Sequence, residues 1–363
     1  MKITHIHIER FRGFQNEDFE VGSLLTAIAG QNGTQKSTLL GIITQTFTLK
    51  TEDSMRVEKP LCGGSYISAF KDKFRLSPTF DKPKGHEWTI SFDAGMDDFT
   101  VESIKRTGDP NVRFWKKGAR QEGDGYISFP TIFLSLKRLV PVAEEAKIIT
   151  DDTLLTQEEL NEFKQLHNKI LIAQTPISSA TTITSKNKQS IGVSTELYDW
   201  NQNSMGQDNL GKIILALFSF KRLHDKYPRQ YKGGILAIDE MDATMYPASQ
   251  VELLKVLRKY ASKLNLQILF TTHSMSLLKA MDDLVQEVTK KEETANQAKI
   301  LYLKKVDDKI AIKQGVNFKG IQLDLNVVAE GNNRKKNRIT AYTEDKENIL
   351  FVKAILKSKA FVL

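Results

Sequence analysis

Residues 30–38 read GQNGTQKST, a stretch built from the residue types that bind phosphate. Glycines let backbone N–H groups turn inward on an anion, a lysine reaches the outer phosphates, and an adjacent hydroxyl can hold Mg2+, all at a helix N-terminus. Gly30, Gly33, Lys36, Ser37 and Thr38 stand at those places, and Gln31, Asn32, Thr34 and Gln35 complete the loop. Gln35 occupies the position of the last glycine in GxxxxGK[ST]. A non-glycine there must fit the loop's backbone conformation, at about 1 kcal/mol or more if φ is positive.

Three further stretches carry chemistry. GGILAIDEMDATMYP ends an apolar strand in Asp239 and Glu240. Adjacent carboxylates seldom close a buried strand for packing reasons, because each must be desolvated and paired. Beside a phosphate loop, the first can position Mg2+ and the second can act as general base toward an attacking water. LQILFTTHS puts His273 at the C-terminal end of a strand, where ligands of open parallel sheets bind. Alone it reads as a structural histidine; as the third member of an ordered set it is a candidate γ-phosphate sensor. NSMGQ, residues 203–207, opens a helix with Ser204 as cap and Gln207 closing a capping box, and a capped helix N-terminus is also a phosphate site.

These residues need elements to position them. MKITHIHIERFRGF alternates apolar and polar residues, a first strand and not a signal peptide. TAIAG, the loop and STLLGIITQTF read as strand, loop and helix. From about 50 to 135, short strands (EWTISFDAG, DFTVESIKR, ISFPTIFLSL) with turn punctuation predict an inserted antiparallel lobe. Residues 143–173 read as helical, with Thr156 and Glu159 spaced as a capping box, and the Ser/Thr-rich stretch 177–194 reads as a loop. No heptad pattern is sustained there, so long coiled-coil arms are absent from this reading. From 205 onward helices and strands alternate, which implies a parallel sheet flanked by helices.

Composition limits the partners. No apolar run reaches the roughly 18 residues of a membrane span, which reads as a protein with no membrane. The lone cysteine, Cys62, cannot form an internal disulfide, and a cytoplasmic location fits. A net charge of +8 is compatible with a polyanion such as DNA and also with none. The most basic stretches, KRTGDPNVRFWKKGAR (105–120) and RKKNR (334–338), read equally as solvated loops.

The order GQNGTQKST, NSMGQ, ILAIDEMDATMYP, FTTHS resembles the ABC-type ATPase heads of the SMC, RecF and OLD families, as does the opening ITHIHIERFRGF. The fold this implies is an α/β ABC-type P-loop head over about 1–315: a mostly parallel sheet flanked by helices, with the antiparallel lobe and a helical insertion at about 143–200. The resemblance implies ATP and Mg2+ as cofactors. Lys36 would bind β/γ phosphate, Ser37 and Asp239 Mg2+, Glu240 would polarise the attacking water and His273 would sense the γ-phosphate. Ser204 and Gly206 would contact the ATP of a second subunit, with MDAT (241–244) crossing the same interface as a D-loop. The expected assembly is therefore a homodimer or higher oligomer through the heads. No glutamine between 50 and 140 stands out as a Q-loop.

The missing arms argue against an SMC-type chain, and the long segment after His273 argues against a RecF-type one. NRITAYTEDKENILFVKAIL, near the end, resembles the opening of the Toprim nuclease domain of OLD-family proteins, with Glu344 as metal ligand and Glu347 as a second candidate. An acidic helix N-terminus explains the same residues equally well. A Toprim site needs further carboxylates, so 316–363 reads as a linker and an incomplete Toprim-like domain. The expected function is a dimeric ATPase that controls a DNA nuclease, its own or a partner's, in anti-phage defence of the Gabija, retron-linked OLD or Septu type. A RecF-like repair ATPase and a nucleotide-binding scaffold with negligible turnover are the alternatives.

Overall fold

The structure, a computed structural model, describes residues 1–66, 73–93, 95–105, 112–119, 124–140, 147–151, 154–185 and 189–330. In chain order the first elements are β1 (Ile3–Phe11), β2 (Phe14–Glu20), β3 (Leu25–Gly30), α1 (Lys36–Thr44), β4 (Phe47–Thr48), β5 (Glu87–Phe92), β6 (Phe99–Lys105) and β7 (Val112–Lys116). Next come β8 (Ile127–Ser128), β9 (Thr131–Leu134), β10 (Ile149–Asp151), α2 (Gln157–Leu171), β11 (Ser179–Thr184), β12 (Gln189–Ser194) and α3 (Met205–Lys226). The remainder are β13 (Gly234–Ile238), α4 (Pro247–Lys263), β14 (Leu266–Thr272), α5 (Met275–Val288), β15 (Ala298–Val306), β16 (Lys309–Lys313) and α6 (Phe318–Glu330).

The central sheet runs β16-β15-β3-β14-β13-β9, parallel except for the β15–β16 hairpin. Every residue of β3, β13 and β14 is buried, as expected of strands covered on both faces. These three neighbours deliver the phosphate loop, the carboxylate pair and His273 to one edge, because parallel strands place all their C-terminal ends together. A second, antiparallel sheet runs β2-β1-β5-β6-β7. Leu39, Ile42 and Ile43 of α1 belong to one buried cluster with Phe11 and Trp88 of that sheet and Ala237 and Leu269 of the central one. The helix behind the phosphate loop is thus clamped between two sheets.

Three expectations change. The antiparallel lobe is not confined to 50–135: its sheet includes β1 and β2, while Thr131–Leu134 leaves it to pair in parallel with β13. The region 143–200 is only partly helical. Ile149–Asp151 is a strand, and the expected loop at 177–194 is the β11–β12 hairpin beside it. Its alternating Thr, Ile and Val are β-branched residues that suit a pleated surface, and Ile183, Ile191 and Val193 are buried. The α2 helix begins where its capping box places it, with Thr156 accepting from Glu159 N and Glu159 from Thr156 N.

The chain forms two units, residues 1–321 and 322–363. The second is described only over 322–330, which is helical. The Toprim-like reading, with Glu344 and Glu347, and the basic stretch 334–338 lie outside the described residues, as do 106–111 and Arg120 of the other basic stretch. No helix among the described residues is long and apolar enough to cross a membrane.

Candidate nucleotide site

The loop between β3 and α1 holds its shape by unusual backbone angles. Gly33 has φ 79° with open space around its α-carbon, so conformation and not packing calls for glycine there. Gln35 has φ 62° and ψ 32°, the left-handed region that the replaced glycine would occupy freely. No side chain caps α1, which leaves its first N–H groups facing the loop mouth. Lys36, only 7% exposed, donates from Nζ to Gly30 O (3.1 Å) and Gln31 O (3.0 Å). Burial lowers its pKa, opposed by the charges of Glu240, Asp239 and Asp242.

Across the loop stands the carboxylate pair. Asp239 Oδ1 accepts from Ser37 Oγ at 2.8 Å and from Thr271 Oγ1 at 2.7 Å. Thr271, on β14, also accepts from Glu240 N at 2.6 Å through its hydroxyl and from Met241 N through its carbonyl. Glu240 turns the chain with φ 50°, and among the described residues its carboxylate has no hydrogen-bond partner. His273, at the end of β14, is exposed, and its N–H donates to Asp242 Oδ1 at 3.4 Å. Desolvation and the Lys36 charge lower its pKa, against the pull of Asp242, Glu240 and Asp239, which favours the neutral ring.

These residues fit Mg2+ and a phosphate chain. Ser37 Oγ and Asp239 supply hard oxygens side by side at a helix N-terminus, the donor type that Mg2+ takes, with water and phosphate filling the rest of its shell. Among the described residues no group of three or more His, Cys, Asp or Glu forms a metal cage, so the Ser37–Asp239 pair is where such an ion would be held.

The structure brings together Lys36, Ser37, Asp239, Glu240 and His273, with Gly30, Gln31, Asn32, Gly33, Thr34, Gln35 and Thr38 around them. It does not bring in Ser204, Gly206 or Gln207: among the described residues no hydrogen bond joins their turn to the phosphate loop. Ser204 caps α3 through the expected box, accepting from Gln207 N and donating from its own N–H to Gln207 Oε1. A Cβ on Gly206 would lie 2.5 Å from Thr244 O, so glycine is needed for the close pass of this helix over residues 241–244. Sequence reasoning missed Thr271, Arg138 and Asn209. Thr271 could have been found two residues before His273; Arg138 follows a strand that was placed in the wrong sheet.

A family profile described as "AAA ATPase domain" matches residues 1–190 and 141–278. The chain belongs to this family. The matched domain is an ATPase domain. Among solved structures, an SMC head domain from Thermotoga maritima is similar with a TM-score of 0.47 at 14% identity, covering 87% of this chain and 100% of its own. An Smc head bound to the C-winged helix domain of ScpA reaches a TM-score of 0.52 at 14% identity, covering 89% and 100%. An Smc head domain with an extended coiled coil, bound to the C-terminal domain of ScpA derived from Pyrococcus furiosus, reaches 0.48 at 13%, covering 90% and 99%. The match at 0.52 shows a shared fold. No curated protein matches.

Proposed function

We propose that the chain binds and hydrolyses ATP at a site completed by a second copy of itself, and that this cycle controls a DNA nuclease in anti-phage defence. The observation that carries the ATPase part is the meeting of Ser37 and Asp239 at 2.8 Å, which puts the phosphate loop and the Glu240 turn face to face. Lys36 would exchange the carbonyls of Gly30 and Gln31 for β and γ phosphate oxygens. Ser37 and Asp239 would hold Mg2+, which supplies charge neutralisation and orientation of the phosphates. The unpartnered Glu240 carboxylate would orient the attacking water and take up its proton. Neutral His273 would donate a hydrogen bond to the γ-phosphate.

The placement of the NSMGQ turn supports the dimer. The exposed Ser204 of this turn has no hydrogen bond to its own phosphate loop among the described residues, and exposed apolar side chains of the kind a second head would cover flank Arg138 (Leu136, Val140), Ser204 (Met205) and Thr244 (Tyr246). Control of a DNA nuclease, DNA contact and a defence role rest on the likeness of NRITAYTEDKENILFVKAIL to a Toprim opening and on the net charge of +8. That chemistry would come from Glu344 with further carboxylates, or from a partner protein.

The test is steady-state ATP hydrolysis by the full chain beside Glu240→Gln. Turnover should fall at least about 100-fold while ATP binding persists. Wild-type turnover no higher than the variant's would leave a nucleotide-binding scaffold. A reverse transcriptase, HNH nuclease or UvrD-like helicase encoded next door would favour defence over RecF-like repair.

A further inference from the structure

The arginine at 138 is 2% exposed; the charges of Asp239, Glu240 and Asp242 act on it from a distance, but among the described residues no carboxylate forms an ion pair with it. An arginine so deep is normally matched to a carboxylate, because burying an unpaired charge is costly. Here the guanidinium is spent on position. Nε donates to Asn209 Oδ1 at 2.7 Å, Nη1 to Leu134 O at 3.2 Å and Ser135 O at 3.1 Å, and Nη2 to Glu240 O at 2.7 Å. Asn209 is fully buried in the second turn of α3 and passes the connection on, donating from Nδ2 to Ala243 O at 2.9 Å. Two side chains thus bind the end of β9, the helix that Ser204 caps, and both ends of the 240–243 turn.

Thr271 holds the N–H groups of residues 240 and 241, and Arg138 and Asn209 hold the carbonyls of residues 240 and 243. Glu240 and Thr244 both sit at positive φ, 50° and 68°, conformations that a non-glycine residue adopts against a steric penalty. Fixing the carbonyls of residues 240 and 243 fixes the direction in which the Glu240 side chain leaves the backbone. Because Asn209 lies on the helix whose N-terminus is the NSMGQ turn, a displacement of that helix along its axis must pull on the same carbonyls.

We propose that Arg138 and Asn209 are positioning residues that couple ligand engagement at the Ser204–Gln207 turn to the placement of Glu240. The inference rests on the dimeric ATPase reading above: the phosphate groups held by one subunit engage the helix N-terminus of the other. An empty turn leaves Glu240 badly aimed, and an occupied one aligns it, so that hydrolysis waits for the dimer.

Backbone hydrogen exchange of the full chain with Mg2+ and a non-hydrolysable ATP analogue tests this without relying on turnover. In wild type the analogue should slow exchange in 30–40, 204–210 and 239–245 together. In Asn209→Ala the first two segments should stay protected while 239–245 loses most of its protection, and kcat should fall about tenfold or more with KM within about threefold. Arg138→Lys keeps the charge but not the fork, and should do the same; it serves as the second variant if Asn209→Ala fails to fold. Undiminished protection of 239–245 in a folded variant would overturn the coupling and leave the ATPase reading intact. Protection of 30–40 in wild type without 204–210 or 239–245 would also overturn the coupling alone. No analogue-dependent protection in any segment of wild type would overturn the nucleotide site and the coupling with it.

Discussion

Asp81 in the antiparallel lobe and Asp239 at the end of the central sheet are almost equally buried, at 4% and 5% exposure, yet their oxygens are used in opposite ways. Asp81 accepts from Arg12 Nε at 3.1 Å and Nη2 at 3.0 Å, from Ser77 N at 2.8 Å, and shares a 3.0 Å contact with His86 Nε2. His86 in turn meets Ser103 Oγ at 3.0 Å and packs against Phe11 and Phe114. Although aspartate, histidine and serine stand in line, every valence is taken up within the lobe, and Ser103 is fully buried. Asp239 receives two hydroxyls, both on Oδ1, and among the described residues its other oxygen has no protein partner. Residue types alone would nominate both clusters. Unused bonding capacity at a strand end singles out the second as the candidate site, and saturation marks the first as a device for holding β1, β5 and β6 together.

Four measurements can break or sharpen this contrast. The largest effect should come from Asp81→Ala, which strands a part-buried guanidinium and a buried imidazole; unfolding stability should drop by about 3 kcal/mol with ATP affinity unchanged. A matching loss of ATP binding would show that the lobe cluster belongs to the site. Lys36→Ala should do the reverse. Its ammonium touches only loop carbonyls, so denaturant midpoints should barely move while ATP binding weakens by roughly 100-fold, about 2.7 kcal/mol.

Acid should find the saturated cluster third. The Asp81 carboxyl is held down at about 2, from the ordinary 3.8, by Arg12, Ser77 N–H and His86 acting against the opposing effect of burial. A depressed carboxylate stabilises the fold above its unfolded pKa and loses that contribution as pH falls, here between about 4 and 2. The loss should reach about 2 kcal/mol. Burial also lowers the pKa of His86, so protonation of the unfolded chain begins to erode stability as pH drops through about 6.5. Denaturant unfolding of wild type beside Asp81→Asn over pH 2–7 should show the lower-pH slope only in wild type; parallel curves would remove Asp81 from the account.

The smallest effect belongs to Gln35→Gly. Relief of a left-handed φ at a non-glycine outweighs the extra freedom of glycine in the unfolded chain, and the buried Gln35 Oε1 has no partner to lose. Stability should rise by about 0.5 to 1 kcal/mol with ATP binding preserved. A folded variant that no longer binds ATP would show that the glutamine is itself a ligand.

Much of this site was legible from local rules. A phosphate loop is contiguous, helix caps are set within four residues, and an apolar strand ending in Asp-Glu is visible by its pattern. Those rules placed Lys36, Ser37, Asp239, Glu240 and His273 and located the starts of α2 and α3. They failed where pairing is long-range. Residues 177–194 carry polar Thr and Ser in numbers that suit a loop, and only their register with each other and with Ile149–Asp151 makes them strands. TIFL carries no mark to say which sheet it enters.

By itself the sequence determined the candidate chemistry: which residues could hold phosphate, Mg2+ and water, in an order that resembles an ATPase head. Tertiary structure decided which of the available charges are free to act. Hydrogen bonds from Arg12 and His86 consume Asp81, whereas Asp239 and Glu240 keep open oxygens because parallel strands end together and leave them only hydroxyls and backbone. It also decided that Arg138, unremarkable in SLKRL, reaches Glu240 O and Asn209 at once. Saturation and reach depend on segments far apart in the chain arriving within 3 Å of one another, and no local pattern encodes that distance.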